Sequence, residues 1–120
     1  MVRRRTNPDY LNGVPELLIL RLLSQKPMYG YELVQTIKLL SGGQLEFGEG
    51  CVYPLLHRLE AEGALSSRRE NVSGRSRVVY RVSLAGQLRY EEASNRWTNV
   101  VDAVQLVLQG GAHGRIQLAT

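Results

Sequence analysis

The chain has 120 residues, 43% of them hydrophobic and 22% charged, with a formal net charge of +4; that suits one domain, or one domain with an appendage, around a modest core, and argues against global disorder. No apolar run reaches the ~18 residues a membrane span needs, and Met1-Val2-Arg3-Arg4-Arg5 is followed by no apolar stretch of the kind a secretion signal carries. The single cysteine, Cys51, excludes an intramolecular disulfide and a multi-cysteine zinc site, and fits a reducing cytoplasm, the expected location; neither a metal nor a cofactor is expected.

Residues 1–12 are polar and basic and read as a flexible arm. Pro15 then suits a first helical position and Glu16 the positive end of the helix dipole. The run from Glu16 to Leu23 is apolar on nearly all sides, so this first helix belongs at the centre of the core, and Lys26-Pro27 ends it. A second helix is expected from Gly30 to Leu40, where Leu33, Val34, Ile37 and Leu40 recur at helical spacing, with Ser41-Gly42-Gly43 as its stop. Residues 44–49 form a connecting turn. A third helix covers Cys51 to Glu62 on a stripe of Val52, Leu55, Leu56 and Leu59. Pro54 belongs in its opening turn and Gly63 at a left-handed C-cap.

Ala64 to Glu70 and Arg77 to Ser83 read as two strands, the second alternating with period two, around a hairpin tip at residues 71–76. Residues 68–81 hold Arg68, Arg69, Arg75, Arg77 and Arg81 against one acid, Glu70, and so account for the whole net charge. Concentrated positive charge suits a polyanion, because neutralising phosphates releases counterions; a solvated basic face is the blander reading. A long helix follows from Leu84 to Leu108. Tyr90, Ala93, Trp97, Val100, Val104 and Val107 step by three and four, a heptad seam. At 1.5 Å per residue this helix is roughly 37 Å long, too long for a small domain to cover, so a partner helix is expected. Gly110-Gly111 ends it, and residues 110–120 read as a flexible tail.

The order of helix, helix, helix, hairpin and long helix predicts a mainly α fold with a small β-hairpin: a winged helix-turn-helix over residues 13–83 plus a C-terminal dimerisation helix over 84–109. The third helix would enter the major groove of double-stranded DNA and the hairpin would flank it. Four segments in this order resemble the PadR family of transcription regulators. They are the run from Pro15 to Leu23, Tyr29-Gly30-Tyr31-Glu32-Leu33, the run from Gly50 to Gly63, and Val79-Tyr80-Arg81-Val82-Ser83 with Gly86. The family usually carries Thr or Ser where this chain has Cys51. One long helix after the wing resembles the family's short-tailed branch. That resemblance implies a homodimer on a pseudo-palindromic operator, and in some members a response to flat aromatic molecules.

Helical geometry puts Gly50, Pro54, His57 and Ala61 opposite the buried stripe of the third helix, flanked by Tyr53 and Arg58. With the resemblance, Tyr53, His57 and Arg58 are expected to contact DNA, Gly50 to allow close approach, and Tyr29, Arg75 and Arg77 to complete the interface. The blander alternatives are Tyr53 packed on the second helix and Arg58 paired with Glu62, four residues on. Arg68 and Arg69 are neighbours, so only one can face outward with Arg77. Arg3, Arg4 and Arg5 are candidates for a minor-groove arm. Trp97 lies where the short-tailed branch has a tryptophan that stacks with its dimer mate around a planar ligand, which makes Trp97, Ala93 and Val100 the expected effector site. A dimer-core residue with no ligand is the alternative. The resulting expectation is a homodimeric repressor released by a planar aromatic effector. A winged-helix module that binds an acidic protein partner and no DNA is the alternative. No nucleophile–base pair, phosphate-binding glycine loop or metal-ligand cluster points to an enzyme.

Overall fold

The computed structural model describes residues 13–110. The expected arm, with Arg3, Arg4 and Arg5, and the expected tail beyond Gly110 lie outside the described residues. Helix α1 (Val14–Gln25) is followed by a short strand β1 (Met28–Tyr29), helices α2 (Gly30–Leu40) and α3 (Glu49–Ala61), strands β2 (Leu65–Val72) and β3 (Arg75–Val82), and helix α4 (Leu84–Leu108). The strands form one antiparallel sheet in the order β1-β3-β2. This is a mainly α winged helix-turn-helix with a long C-terminal helix.

The chain divides into two units, one up to Tyr90 and one from Glu91. In the first, Ile19 and Leu20 of α1, Leu33 of α2, and Val52, Leu56 and Leu59 of α3 are completely buried. Met28, Leu65 and Tyr80 close this core from the sheet. Each such side chain contributes about 1.5–3 kcal/mol relative to exposure, so the three-helix core is the main source of stability. Phe47, in the connection before α3, is also buried and anchors that connection to the core. Leu40, the last residue of the α2 stripe, is 70% exposed instead.

Three local features differ from the sequence expectation. Helix α3 begins at Glu49, two residues early, because the Gly48 carbonyl accepts from the amides of both Cys51 and Val52 at 3.0 Å. Pro54 is therefore the sixth residue of the helix and lies beyond its opening turn. The hairpin tip is also shorter than residues 71–76. Val72 pairs with Arg75, and only Ser73 and Gly74 turn, at φ 52° and 82°. Two positive φ values in succession give the twist a two-residue hairpin needs, and the Gly74 amide donates to Asn71 Oδ1 at 3.0 Å. Strand β1 has only two residues, too few to display alternation.

The wing joins both ends of the domain. Gly63 adopts φ 83°, so the Ala64 amide reaches back to the Leu59 carbonyl at 2.9 Å and the Gly63 amide to the Glu60 carbonyl at 3.0 Å, the paired bonds of a glycine-terminated helix. Ser83 then opens α4. Its hydroxyl donates to the Gly63 carbonyl at 2.6 Å and accepts from the Gly86 amide at 3.0 Å. A Cβ at Gly86 would strike the Ala64 carbonyl oxygen and Val82, so glycine is what lets the first turn of α4 close on the wing. Gly86 thus packs with the winged domain, and Tyr90, the first residue of the expected seam, is half-buried against its core.

Candidate nucleic-acid interface

Helix α3 carries the face expected to read DNA. Val52, Leu56 and Leu59 point inward, and Gly50, Pro54, His57 and Ala61 are all exposed on the opposite side. A side chain built at Gly50 would meet nothing within 4 Å, so this surface is open. The two flanking residues are more engaged. Tyr53 is half-buried, and its ring passes so close to Gly30 that a Cβ there would lie 2.6 Å from the Tyr53 Cζ. It packs on the start of α2.

Arg58 lies on the edge of α3 that faces α1. Its Nη2 donates to Glu16 Oε1 at 3.1 Å, and its Nη1 meets Glu62 Oε1 at 3.4 Å. Arg89 completes the arrangement, with Nε on Glu16 Oε2 and Nη1 on Glu62 Oε1, both at 2.8 Å. The four side chains form a closed ring of alternating charge that joins α1, the end of α3 and the start of α4. Burial alone would raise the Glu16 pKa, but the hydrogen bonds from Arg89 and Arg58 outweigh it and hold the carboxyl below the usual range. The pairing of Arg58 with Glu62 was legible from their spacing; Glu16, 42 residues from Arg58 and 73 from Arg89, left no such signal.

The register of the hairpin sorts the wing arginines. Arg68 lies across from Val79 and Glu70 across from Arg77, so Arg68, Glu70, Arg77 and Arg81 share one face. Arg69 points to the other face, where its Nη1 donates to Ser76 Oγ at 3.3 Å. Tyr29 pairs with Val79 from the other side and brings its ring beneath Arg77, whose guanidinium carbon stands 4.5 Å from the ring centroid. A cation held over an aromatic face keeps its charge and its donors while losing side-chain freedom. Glu70 takes Arg68 Nε at 3.0 Å and Arg81 Nη1 at 2.6 Å on the same oxygen. Arg75, at the tip, is exposed and has no ion-pair partner among the described residues.

An open helix face beside a basic hairpin is the arrangement of a DNA-binding winged helix, and residues 19–92 match the model of the transcriptional regulator PadR-like family. The chain belongs to this family. A PadR-like transcriptional regulator from Bacillus cereus is 33% identical and superposes with a TM-score of 0.76, over 86% of this chain and 99% of that one. A Streptococcus transcriptional regulator is 28% identical, with a TM-score of 0.72 over 82% and 96% of the two chains. The transcriptional regulator Rv3488 of Mycobacterium tuberculosis is 36% identical over 84 residues, 70% of this chain and 76% of its own. As a PadR-family member the chain is a DNA-binding transcription regulator. No helix among the described residues is long and apolar enough to cross a membrane.

In the unit from Glu91, the PadR-family chain presents the rest of the heptad seam. Trp97 is 46% exposed, and Val100, Val104 and Val107 are exposed on the same side of the helix. Ala93, at the same register, is half-buried. Cys51 is half-buried against the core of the first unit, as a small stand-in for Thr or Ser would be.

Proposed function

We propose that this regulator is a homodimeric repressor, that residues 13–83 bind the operator, and that α4 carries the dimer interface. The observation that carries the reading is the uncovered seam of Trp97, Val100, Val104 and Val107. Apolar side chains at heptad spacing gain most by packing on an equivalent helix, and a closed twofold pair is the commonest way to satisfy them. Residues 84–90 belong to both tasks, since Gly86, Arg89 and Tyr90 pack with the winged domain. A twofold dimer places two α3 helices on successive turns of the major groove, about 34 Å apart, and so selects a pseudo-palindrome.

On DNA, Gly50, His57 and Ala61 face the groove, and Arg75 and Arg77 hold the phosphates beside it. Tyr29 presets Arg77, and Tyr53 keeps α3 seated on α2. Arg58 reaches DNA only by leaving Glu16 and Glu62, so base reading rests first on the face around His57. A planar aromatic effector stacks between paired Trp97 rings, with Ala93 and Val100 beneath it. It releases DNA to the extent that it prefers the non-binding geometry. Titrating planar aromatic cations into the protein–DNA complex tests the regulatory step. Release of DNA by wild type and none by Trp97→Ala is the expected result; equal release by both would remove Trp97 from the mechanism.

A further inference from the structure

Glu70 is the one acid among residues 68–81, and it sits among the wing's outward-facing arginines. One carboxylate oxygen holds both Arg68 and Arg81. The reach of Arg81 is notable, because its own cross-strand partner is Ser66 while that of Glu70 is Arg77. To meet Glu70, its side chain must run along the strand toward the tip, past the buried Val79. We propose that Glu70 is a specificity-determining residue: it withholds Arg68 and Arg81 from DNA phosphates and leaves Arg75 and Arg77 as the working contacts of the wing.

An arginine bonded to a carboxylate gains little by trading it for a phosphate, and the abandoned carboxylate would then face the anionic backbone. The guanidiniums of Arg81 and Arg68 beside it also hold the Glu70 carboxyl below its ordinary range, so it stays charged at neutral pH. Affinity for arbitrary sequence scales with the number of phosphates neutralised, whereas discrimination comes from the groove face. A wing whose outward arginines all gripped phosphate would raise binding to every sequence and narrow the margin for the operator. Glu70 keeps that margin.

This inference rests on the wing reading above, and the experiment separates the two. Binding of the full chain to a random-sequence duplex is measured across a salt series for wild type, Glu70→Gln, the triple variant Arg68→Gln/Glu70→Gln/Arg81→Gln, and Arg75→Gln/Arg77→Gln. Glu70→Gln should bind on the order of ten-fold tighter at low salt, with a log–log slope steeper by up to about 1.8, two further phosphates' worth. The triple variant, which does not depend on Glu70→Gln alone keeping the hairpin intact, should stay within about half a unit of the wild-type slope. A wild-type slope for Glu70→Gln, or a clearly shallower one for the triple variant, would overturn the role of Glu70. An unchanged slope for Arg75→Gln/Arg77→Gln would instead overturn the wing reading itself.

Discussion

Glu16 of α1 and Arg89 of α4 meet through a 2.8 Å bond across 73 residues of chain, and the same carboxylate holds Arg58 of the recognition helix. One acid thus ties α3, the helix proposed to face DNA, to the first turns of the helix that carries the seam. Glu16 is mostly covered, but its arginines are partly exposed, so solvent screening trims the stabilisation. Glu16→Gln should cost about 1–2 kcal/mol at pH 7 in urea denaturation. The Glu16 pKa is lowered in the folded state, so its contribution is full above the unfolded value near 4.5 and fades as pH falls through the folded value. The gap between wild type and variant should therefore close below about pH 4.5; a gap that stays constant there would contradict the ring as its source.

Two glycines should respond differently to alanine. At Gly86 the new methyl meets backbone, the Ala64 carbonyl, which cannot move without breaking the wing–α4 junction. Gly86→Ala should lower stability by about 2–3 kcal/mol. At Gly30 the nearest atoms all belong to the far end of the Tyr53 side chain, which can swing. Gly30→Ala should lose less stability and show its effect in DNA affinity, through a displaced Tyr53. Thermal melts paired with DNA titrations check both; equal losses of stability would show that the Tyr53 ring is not free to yield.

In the proposed interface Tyr29 acts on DNA through Arg77. Removing the ring with Tyr29→Leu forfeits an interaction of about 0.5–1 kcal/mol and should weaken binding roughly two- to five-fold, while Tyr29→Phe, which keeps the ring, should bind nearly as wild type. If Tyr29→Phe loses as much as Tyr29→Leu, the hydroxyl rather than the ring makes the contact.

The seam carries the proposed dimer. A charge at Val104 would have to be buried unpaired between the two helices, which costs several kcal/mol. Val104→Glu should be monomeric by sedimentation at concentrations where wild type is dimeric, and should bind a palindromic duplex far more weakly. A dimeric Val104→Glu would place the interface elsewhere.

The parts of the molecule legible in the sequence are those written in local periodicity. The inward stripe of α3, the seam around Trp97 and the left-handed Gly63 all follow from spacing or a single residue's backbone freedom. What escaped is non-local. Strand β1 exists only because Tyr29 and Met28 find β3 fifty residues away. The choice between Arg68 and Arg69 for the outward face turns on a register set by the Ser73-Gly74 turn. Arg58 lies near the outer face of the wheel, while the carboxylate that turns it toward α1 comes from another helix. The long helix was legible whole, but not that Gly86, Arg89 and Tyr90 in its first turns engage the winged domain.

The claim on which the rest depends is that the outer face of α3 lies against DNA. His57 is exposed and Gly50 has open space around it, so His57→Glu and Gly50→Glu add negative charge there without disturbing the core. The decisive measurement is binding of these variants to a duplex selected from a random pool by the wild-type protein, alongside their melting temperatures. Near-total loss of binding at unchanged stability is the predicted result. Binding within two- or three-fold of wild type would contradict the account and move the DNA contact to another surface.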